Sequence, residues 1–188
     1  MIRVTLLCAT TVCGLFAQSG GLPPEWEVQK QMAALAEHVQ RVKPLLDKIN
    51  PQEWEKRGAP AAYAAQLKNT RAEIDYLAGS TQELAAHPYK LTVALETFLR
   101  MQSVDALLRS VASGVRKYQN PAVADLLQSL IGDTSTDREK LRQYVVELAA
   151  EREQQFKMMD EEAQRCRAAL SRMPRPAAAG TVRKEEKR

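Results

Sequence analysis

The stretch EVQKQMAALAEHVQRVKPLLDKI (residues 27–49) places apolar side chains at Val28, Met32, Leu35, Val39, Val42, Leu46 and Ile49. The gaps alternate four and three. That recurrence gathers all seven on one narrow stripe of an α-helix, the seam of a coiled-coil-like contact, whereas a strand needs period two. Pro44 lacks the N–H of an interior helical residue and clashes with the carbonyl four residues back. The spacing therefore predicts a helix over Glu25 to Ile49 with a kink between Gln40 and Pro44.

The same alternation returns downstream. A second helix, Pro60 to Ala86, carries Tyr63, Leu67, Thr70, Ile74, Leu77, Thr81 and Leu84, and continues through Gly79-Ser80. Both threonines can bond back to the carbonyl four residues earlier at small cost. A third, Tyr89 to Tyr118, has the widest stripe: Leu91, Ala94, Phe98, Met101, Leu108, Val111, Val115 and Tyr118, widened by Leu95, Val104 and Ala112 and extended by Leu99 and Leu107. A stripe that wide faces several neighbours, so this helix is expected at the centre. A short helix over Pro121 to Ile131 and a loop at Gly132 to Ser135 lead into the last helix, Asp137 to about Met173. At ~1.5 Å per residue that helix is about 55 Å long, more than a compact domain of this size covers.

The punctuation agrees. Asn50-Pro51 and Asn120-Pro121 read as N-caps with Pro at the first helical position, and Gly58-Ala59-Pro60 and His87-Pro88 read as breaks. Thr136 to Glu139 fits a capping box. The composition favours good helix formers, and no period-two run is bounded by turn pairs. The expected fold class is all-α: an up-down antiparallel bundle of four long helices plus two short ones, with a long C-terminal helix.

Two flanking segments lie outside this body. Residues 1–19 carry a single charge, Arg3, and an apolar run from Val4 to Ala17 before the polar Gln18 and Ser19. The run has the length of a signal h-region and is too short to span a bilayer core of ~30 Å. A secretory signal peptide cleaved after Ser19 or Ala17 is expected, with an uncleaved anchor as the alternative. Leu7 before Cys8 and Val12 before Cys13 make poor lipidation sites. Export would leave Cys166 as the one cysteine, with no partner for an intramolecular disulfide. Residues 174–188, PRPAAAGTVRKEEKR, lack bulky apolar groups and are expected to form a disordered basic tail.

Charge narrows the partners. Without residues 1–19 the chain holds 26 basic and 23 acidic residues, and the tail alone accounts for the excess. Residues 20–173 hold 21 of each sign. Nucleic-acid binding needs a concentrated basic face, so it is not expected. Tail binding to anionic lipid or cell wall would fade at moderate salt.

No catalytic pattern appears. His38 and His87 are the only histidines, and Glu83 with His87 makes at most half of a metal site. Phosphate loops, dinucleotide fingerprints, nucleophile elbows and calcium loops are absent. Asp105, beside the third stripe, is expected to pair with Arg109, Arg152 or Arg71. Met101, Met158, Met159 and Met173 with Phe98 and Phe156 are better explained by core packing than by a pocket. No cofactor and no metal ligands are therefore expected. The reading is a non-enzymatic interaction or structural module of the bacterial periplasm, or a secreted one. It would meet a protein partner, or further copies of itself, through the C-terminal helix. Its candidate contact residues are Phe156, Met159, Cys166, Leu170 and Met173, with Trp26 and Trp54, although both tryptophans are first expected to clamp the bundle end. The alternative is a carrier of a small apolar ligand, lipid or haem, in the bundle core.

Overall fold

The structure, a computed structural model, describes residues 21–172. They form seven helices and, among the described residues, no strand: α1 (Glu25–Gln40), α2 (Lys43–Leu46), α3 (Pro51–Glu55), α4 (Ala62–Ala86), α5 (Leu91–Tyr118), α6 (Pro121–Asp133) and α7 (Ser135–Arg172). The segment expected to be a signal peptide, Met173 and the stretch expected to be a disordered tail lie outside the described residues. The long helices α1, α4, α5 and α7 pack as an antiparallel bundle. Helix α5 is central, against α4, α6 and α7, while α1 lies on α4.

The kink expected at Pro44 is a complete break. Helix α1 ends at Gln40, and Pro44 sits in the first turn of α2, where no intrahelical N–H is needed. The amides of Leu45 and Leu46 bond the carbonyl of Val42 at 3.1 and 3.2 Å. The stripe survives the bend, because Val28, Met32, Leu35, Val39, Val42, Leu46 and Ile49 are all buried. Gly58 then turns the chain at φ +85°, a left-handed conformation that a side chain resists, and lets the Arg57 and Ala59 amides both bond the Trp54 carbonyl.

In α4 the seam from Leu67 to Leu84 is buried as spaced, with Tyr63 half-buried at its start. Thr70 donates to the Gln66 carbonyl at 2.8 Å, four residues back as expected, but Thr81 reaches only three back, to Ala78. A third buried threonine, Thr97 of α5, lies outside the expected stripes. It donates to Val93 within its helix at 2.8 Å and to Ser80 across the α4–α5 interface at 3.2 Å.

Several expectations need correcting. Leu95 and Leu99 are exposed, because α4, α6 and α7 leave one side of α5 to solvent. Asn120 caps α6 through the Ala122 amide at 2.9 Å, but Asn50 makes no side-chain cap. The loop expected at Gly132 to Ser135 shrinks to Thr134 alone, so Thr136 already lies inside α7. Glu139 pairs with Arg142 instead of completing a capping box.

Helix α7 is held to the α4–α5 turn by two side chains. The Tyr144 hydroxyl donates to the buried Pro88 carbonyl, and Arg152 Nη2 donates to the Tyr89 carbonyl at 2.8 Å. Burial pushes the Tyr144 phenol up to about 12, reinforced by Tyr89 and opposed by the Arg152 guanidinium. A tyrosine in an unfolded chain ionises near 10, so the fold holds this proton more tightly. The associated stability is whole below about pH 10 and is lost as pH rises towards 12. Urea unfolding at pH 8 and pH 11 should show the drop. Tyr144→Phe should lack this share of it, and at pH 8 should be about 1–2 kcal/mol less stable, since the Pro88 carbonyl loses its donor. A variant with native stability and an unchanged alkaline slope would contradict the assignment.

Candidate interaction surface

Helix α7 is 38 residues long, and its buried residues are Leu141, Tyr144 and Leu148, all in its first half. Leu148 turns onto the core, and Arg152, bonded also to Gln155 at 2.7 Å, is the last residue tied to the α4–α5 turn. Beside it, Gly21 and Leu22 form a groove of about 430 Å³ with α7 residues from Glu147 to Met158. Past Gln155 every described residue of α7 is exposed except the half-buried Ala163.

The expected contact residues therefore divide. Phe156, Met159 and Leu170 are 74, 69 and 62 % exposed, and Cys166 is an exposed free thiol. They share one stripe with Ala163, spaced three and four. Met173 lies outside the described residues. The acidic run Asp160 to Glu162 precedes the basic Arg165, Arg167 and Arg172 along the same segment. Of these, Glu161 and Arg165 approach at 3.9 Å within the helix, an exposed pair of little energetic weight. Asp160 and Arg167 have no ion-pair partner among the described residues.

The tryptophans separate too. Trp54 clamps the bundle end, 2 % exposed, and offers no surface to a partner. Its ring stacks on Tyr118 at 6.2 Å and meets Tyr63 edge-on at 5.5 Å. Gly114 of α5 makes room for this cluster, since a Cβ there would come within 2.8 Å of Tyr63 and 2.9 Å of Trp54. Trp26 does not clamp: it stands two residues before Val28, round the helix from the stripe, and is exposed.

Several polar side chains tie elements of the fold together. His38 Nδ1 lies 2.6 Å from Asp137 Oδ2, joining α1 to the first turn of α7. Asp105 pairs with Arg109, as expected, at 3.2 Å, and with Arg138 at 2.6 Å. Arg71 and Arg152 are engaged elsewhere, Arg71 with the Leu46 carbonyl at 2.7 Å. His87 caps α4 through its backbone amide to Glu83. Among the described residues no group of three or more His, Cys, Asp or Glu side chains could hold a metal.

Of the methionines and phenylalanines expected to pack the core, only Met101 is buried there, with Phe98 half-buried against it; Phe156, Met158 and Met159 project into solvent. Between Val39, Leu77, Met101 and Leu108 the core leaves a void of about 10 Å³, at most one water. No described helix is long and apolar enough to cross a membrane. No protein-family model matches the chain, and neither a curated protein nor a solved structure matches it.

The pairings of His38 with Asp137 and of Tyr144 with Pro88 were beyond sequence reading. They join residues 99 and 56 positions apart, and no periodicity signals them.

Proposed function

We propose that this chain is an exported, non-enzymatic helical bundle that works by holding another macromolecule in the bacterial periplasm or outside the cell, with the distal half of α7 as its contact face. One observation carries the reading: a stripe of Phe156, Met159, Cys166 and Leu170 stands in water on a helix that has left its own core. Leaving such a stripe exposed forfeits about 1.5–3 kcal/mol for each large side chain that a partner could cover. The small core void favours this over a carrier of lipid or haem.

The test compares the native chain with a Met159→Glu/Leu170→Glu variant as bait in an envelope extract and in light scattering. Both positions are solvent-exposed, so the variant should keep its helicity while losing the retained partner or the higher mass. Identical behaviour of the two proteins would remove the contact face. Export is tested separately by N-terminal sequencing of the periplasmic protein, which should begin at Gly20 or Gln18.

A further inference from the structure

We propose that the partner of α7 is the same segment of a second copy, paired antiparallel about a two-fold axis that passes between Gln164 and Arg165. The proposal rests on the reading of α7 as a contact face and adds what covers it.

The direction follows from where the body sits. Eight steps of three or four residues carry the apolar stripe from Leu141 through Tyr144, Leu148 and Arg152 to Leu170, which is 29 residues. That average is close to the 3.6 residues of a helical turn. The exposed seam therefore points to the same side of α7 as the buried Leu141 and Leu148, the side on which the bundle packs. In a parallel pair both bundles would have to occupy the space between the two helices. In an antiparallel pair the bundles lie at opposite ends and only the projecting segments overlap.

The register then places Met159 against Leu170 of the second copy and Ala163 against its Cys166, each twice by symmetry. Small residues meet at the axis and large ones towards the ends, as interdigitated packing requires. Asp160 and Arg167, the residues that follow Met159 and Cys166, flank the seam and face each other across it, giving two symmetric ion pairs. Within one chain neither has such a partner among the described residues. A parallel pair could instead join Glu162 to Arg167, so charge favours self-pairing and the position of the body selects its direction. The overlap is short, which predicts a concentration-dependent dimer, not a permanent one.

Sedimentation equilibrium of the purified chain, over a hundredfold concentration series reaching the near-millimolar range, should show monomer and dimer. Met159→Glu should leave only monomer. Asp160→Arg or Arg167→Asp alone should weaken the dimer about three- to tenfold, and D160R/R167D together should restore it. In a parallel pair the double variant would set two negative charges against each other, at positions 162 and 167, and restore nothing.

Nitroxide labels placed singly at Lys157, Gln164 and Ser171 in a Cys166→Ala background report direction independently. Antiparallel pairing offsets the two labels along the axis by about 22, 2 and 20 Å respectively. Distances at 157 and 171 should therefore clearly exceed that at 164, while three equal distances would overturn the proposal. A strict monomer whose seam still retains another protein, lost in M159E/L170E, would overturn self-pairing and keep the contact face. A strict monomer with no seam-dependent partner would overturn both.

Discussion

Trp54→Ala is expected to cost about 3–5 kcal/mol of stability, the range for deleting a large buried aromatic. The indole sits where four parts of the chain meet: α3, which carries it, the first turn of α4 at Tyr63, the end of α5 at Tyr118, and the turn before α3. It reaches that turn through Gln119, whose Oε1 accepts from Trp54 Nε1 at 3.2 Å while its Nε2 donates to the Lys48 carbonyl at 3.1 Å. Alanine would leave a cavity and remove the donor that orients Gln119. Gly114, with no side chain, offers nothing to collapse into the space. Trp26→Ala, at an exposed site, should change stability by less than about 0.5 kcal/mol. Urea midpoints of the two variants measure the contrast. Equal, small losses would mean that the aromatic cluster is not packed in solution.

That pair of tryptophans shows what could be read in advance and what could not. Spacing alone places Val28, Met32, Leu35, Val39, Val42, Leu46 and Ile49 in the core, and all are buried even across the break at Pro44. Helical period is a local property, and it survives whatever the neighbours do. The same spacing at Phe156, Met159, Cys166 and Leu170 leads to exposed positions. Periodicity shows that a face is apolar; it does not say which element covers it. Leu95 and Leu99 teach the same lesson on α5. The side of a central helix that stays open depends on how many neighbours arrive, and that is decided by pairings such as His38 with Asp137, remote in sequence. Gly114 looks like any helical glycine until the rings of Trp54 and Tyr63 are seen to need its missing Cβ.

Leu148→Ala should cost about 2–5 kcal/mol, and Leu170→Ala less than about 0.5, although both are leucines on one stripe of one helix. Leu148 is fully buried and is one of three α7 side chains in the core, with Leu141 and Tyr144. Removing it leaves a cavity and weakens the attachment of the whole helix. Amide exchange in α7 should then accelerate before that in α4 and α5, which hold each other through a longer interface. Leu170 is 62 % exposed, so shortening it removes little from any core. The comparison must be made at low protein concentration, where self-pairing is absent. At high concentration Leu170→Ala acquires a cost of its own, because its layer against Met159 of a second copy is lost. Denaturation of both variants across a dilution series therefore separates the two halves of α7: the Leu148→Ala loss should be independent of concentration and the Leu170→Ala loss should not. If Leu170→Ala destabilised the dilute protein as much as Leu148→Ala, the distal seam would have to fold back onto its own bundle, and the helix could not be the free arm that its 38 residues and three buried side chains describe.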